Sequence, residues 1–203
     1  MIAAPHLSST GHYCLFDTAF GACALAWNER GLMQVQLPEA DRAATERSIR
    51  AHARGAQEAA DLPPAISELI AMMQRYFAGE PVDFSGVAVD LTYAGGLRRK
   101  ILDALRTVGW GRTVSYGELA RIVGATDETG AREVGQTMGR NHTPVVIPCH
   151  RVLASGNKIG GFSAPGGIFT KEKLLWLEGV RVGDAAPLFA EFLPTQRRGE
   201  RRR

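Results

Sequence analysis

The sequence changes character near residue 92, and this change limits the folds open to it. Residues 1–92 carry 6 Lys/Arg against 11 Asp/Glu, whereas residues 93–180 carry 12 against 7. Residues 181–203 add 6 basic and 3 acidic side chains, with five arginines between Gln196 and Arg203. The hydrophobic pattern switches at the same place. In the first part, Met33, Val35 and Leu37 alternate with Gln34 and Gln36, the two-residue period of a half-buried strand. Asn28-Glu29-Arg30-Gly31 is a turn signal between that strand and the run Cys23 to Trp27. Residues 40–54 predict a mostly exposed helix. Pro63-Pro64 opens a second helix, with Ile66, Leu69, Ile70, Met73 and Phe77 at helical spacing and Gly79 to close it. Val82 to Leu91 predicts one more strand. The second part reads as mainly helical. The expected organisation is α+β: an N-terminal domain over 1–92, a C-terminal domain over 93–180 and a basic tail over 181–203.

Composition narrows the function classes. With 203 residues, 45% hydrophobic and 22% charged, the chain can bury a core without disulfide staples. Three cysteines, Cys14, Cys23 and Cys149, form no disulfide framework and fit a reducing, cytoplasmic compartment. No apolar run approaches the roughly 20 residues needed to span a bilayer, and Met1 to His6 lacks the pattern of a signal peptide. Secretion and membrane insertion are therefore not expected. His12, Cys14 and Cys23 match no tetrahedral zinc spacing, so these two thiols read as buried and no metal is expected. The basic second half points to a polyanion as partner.

Within that half, Ile101, Leu102, Leu105 and Val108 mark a helix from about Leu97, which Trp110-Gly111-Arg112 breaks. Ser115 and Glu118 form a capping box at the start of the next helix. A polar turn, Ala125 to Thr129, precedes a short helix from about Gly130 to Gly139. Two short helices about a turn in a basic segment suggest a helix-turn-helix. The chemistry lies further on, in Val145-Val146-Ile147-Pro148-Cys149-His150-Arg151-Val152. A thiol beside an imidazole and a guanidinium, after a buried run, suits a nucleophilic thiolate with a histidine base.

Pro148-Cys149-His150-Arg151-Val152 resembles the active-site signature of the O6-alkylguanine-DNA alkyltransferases. The likeness extends to Gly111 through Ala120, to Ala131-Arg132-Glu133-Val134-Gly135, to Gly139-Arg140-Asn141 and to Lys171 through Gly179. It covers residues 93–180 tightly and 15–92 loosely. The resemblance implies a small ribonuclease H-like α/β domain followed by a helical domain with a winged helix-turn-helix. It also implies repair of O6-alkylguanine, and of O4-alkylthymine, in double-stranded DNA by a monomer without cofactor.

The resemblance further implies the following roles. Cys149 takes the alkyl group, and His150 accepts the thiol proton through a water. Glu178 polarises His150, and Asn141 ties the turn around them. Tyr116 protonates the leaving guanine and pushes the target phosphate. Arg132 fills the stack after base flipping. Ala131 and Gly135 allow close approach to DNA, and Arg151 belongs to the DNA-binding set. Pro144, Val152, Phe162 and Ser163 belong to the pocket, where the backbone of Cys149 and Val152 reads the guanine amino group. Glu133, beside Arg132, would oppose DNA binding unless it points outward or pairs with an arginine. A DNA-binding alkylation sensor is the alternative reading, although such a protein would not need Asn141, Cys149, His150 and Glu178 together.

Overall fold

The computed structural model describes residues 11–182. Three antiparallel strands come first: β1 (His12–Thr18), β2 (Gly21–Asn28) and β3 (Gly31–Gln36). β2 and β3 close around Glu29-Arg30, as the turn signal predicts. α1 (Arg42–His52) follows, with the Asp41 carboxylate accepting from the Ala44 amide at 2.7 Å. β4 (Gln57–Glu58) then adds in parallel to β1, giving the order β3-β2-β1-β4. α2 (Pro64–Phe77) buries Ile66, Leu69, Met73, Tyr76 and Phe77. Its proline start needs no amide partner.

The predicted strand over 82–91 does not form. Among the described residues, the backbone of that segment pairs with the sheet only at a bridge from Leu32 to Val89. Asp83 accepts from the Ser85 amide and hydroxyl, both at 2.9 Å. This local turn competes with ladder pairing. Asp90 then ties the segment back to the β2–β3 turn, accepting from Asn28 at 2.7 Å and Arg30 at 3.0 Å.

The second half contains α3 (Gly96–Arg106), β5 (Val114–Ser115), α4 (Tyr116–Ile122) and α5 (Glu128–Gly139). A single 3-10 turn, Cys149–Arg151, leads into β6 (Val152–Leu153), and α6 (Gly167–Leu177) closes the described fold. Both bonds of the capping box are present, Glu118 amide to Ser115 hydroxyl at 3.1 Å and Ser115 amide to Glu118 carboxylate at 2.7 Å. Such a cap stabilises a helix by about 1 kcal/mol. α5 starts earlier than the sequence suggests because Asp127 caps it through the Gly130 amide at 2.7 Å. Gly130 is required there: a Cβ would lie 2.4 Å from the Ala125 carbonyl oxygen. β5 and β6 pair in parallel, Val114 beside Val152, which joins the start of α4 to the Cys149 turn.

The halves share a core. The cluster built on Cys14, Leu25, Met73 and Phe77 also takes in Val145, Val146, Leu174 and Leu177. A second cluster gathers Ile101, Leu105, Leu119, Val134, Ile147 and Val152. Among the described residues, no helix is long and apolar enough to cross a membrane.

Candidate active site

The site begins with a bent backbone. Val145 has φ +73°, which is costly for a β-branched residue. Neighbouring bonds hold it: the Ile147 amide donates to the Thr143 carbonyl at 2.8 Å. Asn141 completes the clamp. Its Oδ1 accepts from the Thr143 amide at 3.1 Å, and its Nδ2 donates to the Ile147 carbonyl at 2.8 Å and to Cys149 Sγ at 3.1 Å. One side chain thus fixes the turn and touches the sulfur.

Behind the sulfur lies a buried polar network centred on Glu178, which caps the end of α6. Its Oε1 lies 2.7 Å from His150 Nε2 and accepts from Tyr76 Oη at 2.8 Å and from an Arg151 guanidinium nitrogen at 2.9 Å. Its Oε2 accepts from Arg151 Nε at 2.9 Å and from the Gly111 amide at 3.2 Å. Burial alone would raise the Glu178 pKa, but His150 and Arg151 together bring it down to about 2. The carboxylate is therefore an acceptor only, and His150 must donate through Nε2. That leaves Nδ1 of the neutral ring as the basic nitrogen, and Nδ1 is buried without a hydrogen-bond partner among the described residues. Burial lowers the His150 pKa against the pull of Glu178. The resting imidazole is neutral and able to accept a proton.

The three thiols differ in surroundings. Burial pushes Cys14 to about 11 and Cys23 to about 12, with only weak local compensation. Burial also raises Cys149, but there the Asn141 amide and the Lys171 ammonium favour the thiolate. Lys171, fully buried on α6, donates to the Val152 carbonyl at 2.6 Å and more weakly to that of Gly161 at 3.4 Å. Burial lowers its own pKa to about 8.

Two openings reach Cys149. A cavity of about 240 Å³ is lined by Tyr116, Gly135, Met138, Cys149, Phe162 and Ser163. A groove of about 470 Å³ runs from Cys149 past Asn141, Pro144, Phe162 and Ser163 to Gln34 and Gln36 on β3. Tyr116 packs against Gly160, where a Cβ would lie 3.1 Å from its ring. Burial and the nearby Cys149 raise its pKa, so the phenol keeps its proton. Phe162 and Ser163 line both openings, and Pro144 lines the groove. The Val152 side chain lies in the second core and lines neither opening; its carbonyl accepts from Lys171 at 2.6 Å.

α5 presents Arg132, Gly135, Gln136 and Gly139 outward and buries Val134, Thr137 and Met138. Ala131 lies on the same helix. Glu133 does not oppose an outer ligand, because it pairs with Arg98 of α3 at 3.8 Å. Arg151 needs correction. Expected among DNA contacts, it is buried, and its guanidinium is taken up by Glu178 and the Val108 carbonyl. Its geometry suits holding the carboxylate. Sequence reasoning missed Tyr76 and Lys171. A tyrosine on the apolar face of a helix reads as packing, and nothing local marks Tyr76. For Lys171 a signal existed: it sits three and four residues before the core positions Leu174 and Leu175. The Arg-rich end from Gln196 onward lies outside the described residues.

Comparison with known proteins gives the chain its family. Residues 12–91 match the ribonuclease-like domain of 6-O-methylguanine DNA methyltransferase, and residues 96–180 match its DNA binding domain. A methylated-DNA–protein-cysteine methyltransferase of Sulfolobus acidocaldarius is 32% identical over 171 residues, covering 84% of this chain and 94% of the relative. The Mus musculus protein of that name is 33% identical over 185 residues, covering 86% of this chain and 84% of the relative. Among solved structures, Mycobacterium tuberculosis OGT in complex with DNA aligns with a TM-score of 0.63 and 33% identity, over 83% of this chain and 93% of that one. With both halves matched in order, the chain belongs to the 6-O-methylguanine DNA methyltransferase family.

Proposed function

We infer that this protein repairs alkylated DNA as a methylated-DNA–protein-cysteine methyltransferase, with Cys149 as the alkyl acceptor. The observation that carries the assignment is the position of Cys149. It opens into a cavity shared with Tyr116 and α5, and the bonded pair His150–Glu178 follows it in the fold. The substrate is duplex DNA bearing O6-alkylguanine, with O4-alkylthymine as a second base. An alkyl group on guanine O6 lies inside the stack, so the base must be extruded at a cost of a few kcal/mol. Arg132, outward on α5, fills the gap. Ala131 and Gly135 let the helix approach the minor groove, whose degenerate code suits a protein that scans every sequence.

In the transfer step, Cys149 Sγ bonds to the alkyl carbon as the carbon–O6 bond breaks, and that electron pair goes to the guanine. The thiol proton passes through a water to His150 Nδ1, and Glu178 stabilises the imidazolium. Tyr116 gives its proton to the guanine, and solvent returns the imidazolium proton to Tyr116. One proton thus moves in total from thiol to base. The product is a thioether that nothing in the cycle cleaves, so each molecule acts once. The protein works as a cytoplasmic monomer.

Intact-mass analysis after incubation with a duplex containing O6-methylguanine tests this. One added methyl on the Cys149 peptide is expected. A label on Cys14 or Cys23 overturns the assignment.

A further inference from the structure

The network around Glu178 is not confined to the half of the chain that holds the nucleophile. Tyr76, on α2, precedes His150 by 74 residues and Glu178 by 102. It is fully buried. Its ring meets Phe77, Phe84 and Trp110 edge-on, with centroids 5.3, 5.7 and 5.2 Å away. These rings fix its angle, and its hydroxyl bonds to none of them. The hydroxyl turns instead to the network, donating to Glu178 Oε1 at 2.8 Å with its oxygen 3.3 Å from His150 Nε2.

The proton count determines what this contact does. A phenol has one O–H, and the ionised Glu178 takes it. The phenol lone pairs then face His150, so the Nε2 proton lies between two acceptors, Oε1 and Oη. A neutral ring so placed keeps its proton on Nε2 and its lone pair on Nδ1. The alternative tautomer would set a bare nitrogen against a carboxylate and a phenol oxygen. When Nδ1 gains a proton, the same two oxygens stabilise the cation.

We propose that Tyr76 is a positioning residue for alkyl transfer: it holds Glu178 and fixes the His150 tautomer, so the N-terminal half takes part in the chemistry. The proposal rests on the assignment of Cys149, His150 and Glu178 above.

The test uses the full chain carrying Tyr76→Phe, which keeps the ring and removes the hydroxyl. Two quantities are measured: the single-turnover rate of methyl transfer from an O6-methylguanine duplex across pH 7 to 9.5, and the His150 ring nitrogen shifts by 15N NMR. At pH 7 the rate should fall about tenfold, the usual order for losing a hydrogen bond to a charged group. The deficit should narrow as pH rises and the thiol ionises without its base. With Tyr76 no longer holding it, Glu178 can turn away from His150, so the nitrogen shifts should move from a pure Nε2–H form to a mixture, and duplex affinity should stay within about twofold of the unmodified protein. In a Glu178→Gln background the same change should matter far less, because Tyr76 acts through the carboxylate. Phe84→Leu serves as the packing control; it should lower stability without changing the tautomer.

An unchanged rate and tautomer in Tyr76→Phe overturn the proposal, as does a deficit that stays constant with pH and matches that of Phe84→Leu. Cys149→Ser separates the two levels. If it still accepts methyl, the underlying assignment fails. If it is inactive while Tyr76→Phe behaves like the unmodified protein, only the positioning role fails.

Discussion

The pocket around Glu178 and the outer face of α5 both depend on charged side chains, but they are built in opposite ways. At Glu178, one buried carboxylate receives donors from α2, from the segment after α3 and from the turn carrying His150 and Arg151. On α5, Arg132 stands exposed, with no hydrogen bond or ion pair among the described residues. A satisfied buried network is stiff, and removing one member leaves the others stranded. An exposed, unpaired guanidinium loses little when free and gains when a ligand arrives. On the proposed function, chemistry and DNA entry therefore rest on groups held in opposite ways and should separate under mutation.

The largest expected effect is at the buried pole. Glu178→Gln should slow methyl transfer about a hundredfold at neutral pH, because a neutral amide cannot stabilise the imidazolium. Duplex affinity, measured separately, should change far less. The variant should also unfold about 3 kcal/mol more easily, since Arg151 keeps a buried charge without its partner. The unmodified protein carries the same dependence on pH. The Glu178 pKa lies near 2, below the ordinary 4.5. Its contribution is complete above the ordinary value and is lost as pH falls toward 2. Denaturant titrations between pH 5 and 2 should show that acid limb, and Glu178→Gln should flatten it. Equal losses in rate and affinity would break the comparison.

At the exposed pole, Arg132→Ala should reduce repair in duplex DNA about twentyfold, a share of the few kcal/mol that base extrusion costs. Reaction with free O6-benzylguanine should stay within about twofold, since no base is flipped. Equal losses on both substrates would mean that Arg132 serves the pocket or the fold. Glu133→Gln should have the smallest effect. Because the carboxylate faces Arg98, duplex affinity should change by less than about threefold, whereas a carboxylate set against phosphates would yield a larger gain and a steeper salt dependence when removed. A salt titration of binding decides between them.

The sequence made the sheet legible through alternation in β3 and the turn at Asn28 to Gly31, and made α4 legible through its capping box. It misled over 82–91, where apolar residues lie at strand-like positions but the Asp83–Ser85 turn supplies bonds that outcompete the ladder. It placed Cys149, His150, Asn141 and Glu178 near one another only through resemblance, because no local pattern brings a helix end to a 3-10 turn. Arg151 was misassigned for a related reason. Charge is visible in a sequence, but whether a buried carboxylate waits for it is set by the fold. Tyr76 was out of reach because its polar tip sits on a face defined by its apolar body.

The shared core has a consequence for how the chain is made. Residues as far apart as Cys14 and Leu177 pack in one cluster. During synthesis the early sheet can pair, but its core stays open until α6 has left the ribosome. Closure must then bring together groups of large sequence separation, a slow kind of contact to form. Until that moment the nucleophilic thiol and the apolar faces of both halves are accessible together, and the nascent chain is at its most vulnerable to stray alkylating agents and to aggregation. Once closed, neither half can open without exposing the core of the other, so unfolding should proceed as one cooperative event.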